Sequence, residues 1–244
     1  MDIRIFSPSY NRADLVKTQA YLPFVKYVIH ELDQGKYKAK GHDVVVCPDE
    51  IRGNIARVRN WILEQNKDAD CVVMLDDDIK AVTRWQNQKL EVLTPDEVRD
   101  LIEVATVMTF DMGIHLWGVN CVIDKGAYRE YTPFSLLSYC SATFCGHVRS
   151  ELRYDERFSL KEDYDMTLQQ IHKYGRVLRF NMISYKVDHY NVAGGCSVYR
   201  NSKKELEQIA RLQAKWGKKV VQIDEQSKKG NDFNPILKVP IRGV

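Results

Sequence analysis

The run Cys71-Val72-Val73-Met74-Leu75 passes without a break into Asp76-Asp77-Asp78, and this junction constrains the fold more than any other part of the chain. A short apolar run rich in β-branched residues reads as a strand buried on both faces, which belongs in a sheet covered by helices. Three carboxylates at its carboxyl end fall where open α/β sheets place their ligands. Side chains of an extended segment alternate, so Asp76 and Asp78 converge on one object while Asp77 turns away. Their mutual repulsion asks for a cation. Hard oxygen ligands suit Mg²⁺ or Mn²⁺, ions commonly held by one or two carboxylates together with substrate phosphates. A metal and a nucleotide diphosphate are therefore expected here; a solvated acidic turn is the plain alternative.

Around this junction the chain alternates strands and helices, the order of a mainly parallel sheet with helices on both faces. Ile3 to Phe6 begins as a strand and breaks at Ser7-Pro8-Ser9-Tyr10-Asn11-Arg12, with a helical segment expected from about Ala13. Extended runs follow at 27–32 and 43–47, then a helix over 54–65. Thr94-Pro95-Asp96-Glu97 opens a helix to about Met112 with Thr94 as cap, Pro95 at the first position and Glu97 reaching back. The middle, 115–149, reads as strands joined by turns. Ser159-Leu160-Lys161-Glu162 has the form of a second capping box and opens a helix to Tyr174, stopped by Gly175; 177–187 is strand-like. Ser202-Lys203-Lys204-Glu205 opens a last helix to Trp216, whose inward face is only partly apolar.

An apolar content of 44% with 28% charged residues is that of a folded globular protein, and 244 residues fill one large domain. No apolar stretch is long enough to span a bilayer and the amino terminus lacks a signal segment, so a cytoplasmic protein is expected. The six cysteines include no C-x-x-C pair and read as buried reduced thiols. Cys140, Cys145 and His147 match no common zinc spacing, and no zinc is expected. Of the net charge of +3, the segment 200–229 carries nine Lys or Arg against four Asp or Glu, a balance of +5, leaving −2 for the rest. That surplus is either a solvated helix face or a surface for a polyanion.

Five landmarks stand in order: Ser7-Pro8-Ser9-Tyr10-Asn11-Arg12 after a first strand, Gly53-Asn54-Ile55-Ala56-Arg57-Val58-Arg59-Asn60 opening a helix, Asp76-x-Asp78 after a buried strand, Glu162-Asp163 opening another helix, and a late His189. Over residues 1–200 this pattern resembles the GT-A (Rossmann-like) glycosyltransferases, most narrowly the TET-associated glycosyltransferases found largely in bacteriophages, which are thought to glycosylate hydroxymethylated pyrimidines in DNA. The resemblance implies a single GT-A domain, with 201–244 a basic helix and tail packed on it. It implies a UDP-sugar as donor and Mn²⁺ or Mg²⁺ as cofactor. Ser7, Pro8, Tyr10 and Arg12 would meet the nucleotide, with Arg52, Arg59 and Asn60 near the diphosphate. Arg57 and Arg59 diverge on a helix, so at most one of them faces the donor, and the resemblance points to Arg59. Asp76 and Asp77 would contact the nucleotide; Asp76, Asp78 and His189 would hold the metal. The Asp of the Glu-Asp pair is the base in inverting members. Asp163 is therefore the expected catalytic base, with Asp165 in reserve and Glu162 given a capping role. The glycines after His189 could hinge a lid.

The acceptor is expected to be DNA, without an obligate protein partner or a membrane. Lys203, Lys204, Lys218 and Lys219 are candidates for its phosphates. Trp117, Tyr139, Phe144 and His147 could stack on a sugar or an extruded base, although aromatic residues in strands are usually core. Besides an aspartate-nucleophile phosphatase, disfavoured because Lys80 stands where its motif wants Thr or Val and the triplet is not at the first strand, two other classes stay open on sequence alone. A nucleotidyltransferase would share the sheet and the metal aspartates but release pyrophosphate. A nucleic-acid-binding module would use the basic segment with the aspartates as mere surface.

Overall fold

The computed structural model describes residues 1–128, 130–187, 200–223 and 233–239. Its sheet is built from β1 (Ile3–Pro8), β2 (Lys26–His30), β3 (Val44–Cys47), β4 (Cys71–Leu75), β5 (Ile79–Gln86), β6 (Lys89–Val92), β7 (Leu116–Asn120), β8 (Phe134–Ser135), β9 (Phe144–Val148) and β10 (Leu178–Val187). The order is β3-β2-β1-β4-β9-β7-β10-β5-β6, with β8 also on β10. Strands β3, β2, β1 and β4 are mutually parallel, and so are β7 and β10; β9 runs opposite between β4 and β7. Between them lie helices α1 (Thr18–Tyr21), α2 (Gln34–Ala39), α3 (Ile55–Gln65), α4 (Pro95–Asp111), α5 (Glu162–Tyr174) and α6 (Ser202–Trp216). A short hairpin, β11 (Val221–Gln222) with β12 (Ile236–Leu237), follows.

Strand β4 explains why this sheet needs two helical layers. All five of its residues are buried. Cys71, Val73 and Leu75 join a cluster with Val98, Ile102 and Ala105 of α4, while Val72 and Met74 join Ala56 and Ile62 of α3 and Met166 and Ile171 of α5. Alternation along the strand thus feeds both cores at once. Helix starts follow local chemistry. Asn54 caps α3 by accepting from Ala56 N–H, after Gly53 supplies the left-handed turn (φ +81°). Thr94 and Glu97 close the expected capping box on α4.

Several local expectations are corrected. The helix expected from Ala13 is a turn followed by the single-turn α1, because Thr18 is drawn into bonds with the Asp triplet. The extended run expected over 27–32 stops at His30, where a 3₁₀ turn leads into α2. A hairpin of β5 and β6 fills 79–92, turned by Asn87 and Gln88 at φ 48° and 59°, the twist a two-residue hairpin needs. Helix α5 has no Ser159 capping box: Lys161 is its cap and Glu162 its first residue. Ser159 N–H instead donates to Gln208 Oε1 at 2.9 Å. Asn201, not Ser202, caps α6. Among the described residues no helix is long and apolar enough to cross a membrane.

Trp117, Phe144 and His147 belong to the interior. Trp117 packs so closely on Gly146 that a Cβ there would come within 2.2 Å of its ring. His147 Nε2 accepts from the Tyr154 hydroxyl at 2.9 Å. Burial, then Arg59 and Arg153, pushes its pKa from 6.5 down to about 3. The unfolded chain therefore takes up a proton near 6.5 that the folded one refuses until about 3, so stability present above 6.5 is lost as pH falls through that window. The measurable outcome is a comparison with His147→Gln, which keeps the acceptor for Tyr154 but does not titrate. Between pH 6.5 and 5 the wild type should lose about 2 kcal/mol relative to the variant in urea unfolding. A constant difference over that range would mean His147 does not resist protonation.

Candidate active site

The acidic turn after β4 is fastened by its backbone. Asp76 N–H donates to Thr143 O at 3.0 Å, and Asp77 O accepts from Lys17 N–H and Thr18 N–H at 2.7 and 3.2 Å. Thr18 Oγ1 donates to Asp76 O at 2.6 Å and accepts from Ile79 N–H at 3.0 Å. The side chains can therefore take fixed and different directions. Asp77 is buried against Ser9 and the guanidinium of Arg12, whose Nη1 lies 2.7 Å from Oδ1. Burial alone would lower the Arg12 pKa, but Asp77 holds it raised and charged. Ser9 also meets the Tyr37 hydroxyl at 2.6 Å. The first loop is thereby pinned to the acidic turn by the buried carboxylate of Asp77.

Asp76 Oδ1 is 3.3 Å from Arg59 Nη2 and its Oδ2 accepts from Thr143 Oγ1 at 2.8 Å, leaving the side chain 39% exposed. Ser141 donates in turn to Thr143 at 3.1 Å. Asp78 is different: burial, then the charges of Asp76 and Asp77, push its pKa up to about 7. Arg12 opposes this rise without cancelling it, so negative charge stays concentrated at the turn. Oxygen ligands of this kind fit a hard divalent cation. Among the described residues no three His, Cys, Asp or Glu side chains gather as a metal cluster. His189, the third expected ligand, lies outside the described residues, as do the glycines after it.

Arg59 joins this turn to the start of α5. It is 4% exposed and sits between Asp76 and Glu162, with Nη1 3.3 Å from Glu162 Oε1. Burial and the neighbouring Asp163 push Glu162 up to about 7, against the pull of Arg59. The expected capping glutamate is therefore the inner partner of the arginine. Next to it, Asp163 is partly exposed; Oδ1 accepts from Tyr164 N–H at 2.8 Å and Oδ2 accepts from the Tyr139 hydroxyl. Asp165, the reserve base, is wholly buried. It receives Trp216 Nε1 at 2.7 Å, Lys215 Nζ at 2.8 Å and Gln169 Nε2 at 2.7 Å, so it serves to dock α6.

The other expected contacts are spread around this centre. Tyr10 faces His30 edge-on with centroids 5.7 Å apart, and Arg52 lies 5.0 Å over its ring, at the same ends of the parallel strands. Ser7 and Pro8 are buried, and the Ser7 hydroxyl finds no hydrogen-bond partner. Asn60 clasps the loop before α5, donating to Tyr154 O at 2.9 Å and accepting from Tyr154 N–H at 2.7 Å. Arg57 points outward to Glu156. Of the candidate DNA lysines, Lys203, Lys218 and Lys219 are exposed, while Lys204 pairs with Glu207 at 3.5 Å.

Sequence reading missed Ser9, Thr18 and Thr143. Thr143 carried a signal only through pairing: β9 opposes β4 with Phe144 beside Leu75, which sets Thr143 next to Asp76.

The family model of the TET-associated glycosyltransferases matches residues 3–195. No curated protein matches the chain. Among solved structures, the S. aureus TarS 1–349 complex with UDP-GlcNAc aligns at a TM-score of 0.53 with 14% identity, over 87% of this chain and 67% of that one. TarS 1–349 without a named ligand aligns at 0.49 with 13% identity, over 90% and 73%. The first of these likenesses shows a shared fold. The match spans both the acidic turn and the start of α5, and on it the chain belongs to the TET-associated glycosyltransferases and is a glycosyltransferase that uses a nucleotide sugar.

Proposed function

We propose that this enzyme moves a sugar from a UDP-sugar to the hydroxymethyl group of a 5-hydroxymethylpyrimidine in DNA, with Asp163 as base and Mn²⁺ or Mg²⁺ held by Asp76 and Asp78. The observation that carries the reading is the buried guanidinium of Arg59, which pairs with Asp76 of the acidic turn on one side and with Glu162 in the first turn of α5 on the other. Groups suited to an anionic leaving group and to an acceptor hydroxyl are thereby kept in one cleft.

Each residue's task follows from its surroundings. Asp163 takes the proton of the acceptor hydroxyl as that oxygen attacks the anomeric carbon and the bond to the diphosphate breaks, with the electron pair leaving on the diphosphate. A base on the acceptor side implies inversion at the anomeric carbon. The bound cation would neutralise charge building on the departing diphosphate. Tyr10 and Arg52 offer an aromatic and a cationic surface for the nucleotide. Support for the DNA acceptor comes from the family resemblance and from exposed Lys203, Lys218 and Lys219.

The test incubates the protein with a panel of UDP-sugars and hydroxymethylated DNA, reading product by mass. A hexose-sized gain on DNA with release of UDP is the expected result; pyrophosphate release or unmodified DNA would refute it. Asp78→Ala is expected to abolish divalent-dependent UDP-sugar binding, measured by calorimetry with and without Mn²⁺. Equal binding in the variant would remove Asp78 as a ligand.

A further inference from the structure

We infer that Tyr139 is the positioning residue of the base, holding the Asp163 carboxylate in its reactive rotamer. The inference rests on Asp163 being the base.

Tyr139 lies just before the buried stretch that leads into β9, and two independent contacts fix it on α5. Its ring stacks on Tyr164 with centroids 4.0 Å apart and planes at 14°. Its neighbour Cys140 is tied to Thr167, whose hydroxyl receives Cys140 N–H at 3.2 Å and itself donates to Asp163 O at 2.9 Å. The phenol is thus held in register with the first turn of the helix and donates to Asp163 Oδ2. Since Tyr164 N–H takes Oδ1, each carboxylate oxygen has one fixed donor and a lone pair to spare for the acceptor's proton.

Packing alone does not call for a hydroxyl at this position. The ring sits beside Phe158, Leu212 and Val221, a cluster that a phenylalanine would serve equally well. What tyrosine adds is a single donor aimed at one carboxylate. Burial, then Asp163, holds the phenol's pKa well above 10, so the proton stays on Tyr139 throughout and the residue orients without relaying. With a carboxylate as acceptor the bond is a charge-assisted one, which fixes the rotamer more firmly than a neutral contact. The other groups that act on Asp163 are Glu162, with its partner Arg59, and Tyr164 from α5, Cys121 just after β7, Cys145 from β9, and Tyr154 from the loop before α5. All of them remain when only the Tyr139 hydroxyl is removed.

The experiment measures transfer by Tyr139→Phe across the acid limb of the pH profile. Loss of the donor should move that limb up by about one pH unit and lower kcat about 10- to 100-fold, with donor KM within about twofold. Replacing Tyr139 by 3-fluorotyrosine, a better donor of the same shape, should move the limb down, and this holds even if Tyr139→Phe folds poorly. Superimposable profiles, or a limb that moves the same way in both variants, would overturn the inference. The Asp163→Asn variant separates the two levels: its full activity would sink the base itself, whereas its collapse beside a wild-type-like Tyr139→Phe sinks only Tyr139.

Discussion

Asp163→Asn should lower kcat and kcat/KM together by about 10²- to 10⁴-fold, the usual contribution of a general base, while UDP-sugar binding stays close to wild type. The carboxamide has nearly the shape of the carboxylate and can still accept from Tyr139, so the fold is undisturbed. What it cannot do is take the acceptor's proton. Steady-state transfer rates together with calorimetric donor affinity decide the matter; normal turnover removes Asp163 as base, and lost donor binding would place it on the donor instead. Asp165→Asn provides the contrast. That side chain is buried against Lys215 and Trp216, so its loss should appear in unfolding midpoint rather than in the pH profile.

The second large effect belongs to Arg59. Replacing it with Met at about pH 9, where Glu162 with its pKa of about 7 is ionised, leaves a buried carboxylate unpaired, and breaking one side of a buried pair costs about 3–5 kcal/mol. Urea unfolding of Arg59→Met should show that loss, and adding Glu162→Gln should restore most of it, because the charge needing a partner has gone. Transfer activity should stay low in the double variant, since Asp76 also loses its neighbour at 3.3 Å. A single variant within about 1 kcal/mol of wild type would mean that Glu162 is protonated and does not need the arginine.

How far the sequence reached can be followed through these same residues. Alternation along β4 separated Asp77 from its neighbours, and Asp77 sits on Ser9 and Arg12 while Asp76 meets Thr143 and Arg59. Divergence of Arg57 and Arg59 on a helix was likewise a local property, and only Arg59 turns inward. The ordered landmarks led to the family that the comparison shows. Glu162 was misread because a capping box and a buried ion pair present the same letters; the difference lies in an arginine about a hundred positions away. The β5–β6 hairpin was overlooked because Asn87-Gln88 lacks the glycine that usually marks such turns. The partly apolar face of α6 was legible, yet its meaning was not. Its polar residues meet α5: Glu205 pairs with Lys161 at 2.8 Å, Gln208 receives Ser159 N–H, and Lys215 and Trp216 meet Asp165.

That seam has a consequence for how the protein is made. Helix α5 carries the inward charge of Asp165 and its cap that of Lys161, and the partners of both come some fifty positions later on the ribosome. A nascent chain that has emerged only through the family-matched stretch holds the whole catalytic sheet but must keep the first turn of this helix wet. Synthesis of the tail is then the event that dries it, so a gene trimmed at the end of that stretch should yield a protein in which the start of α5 never settles.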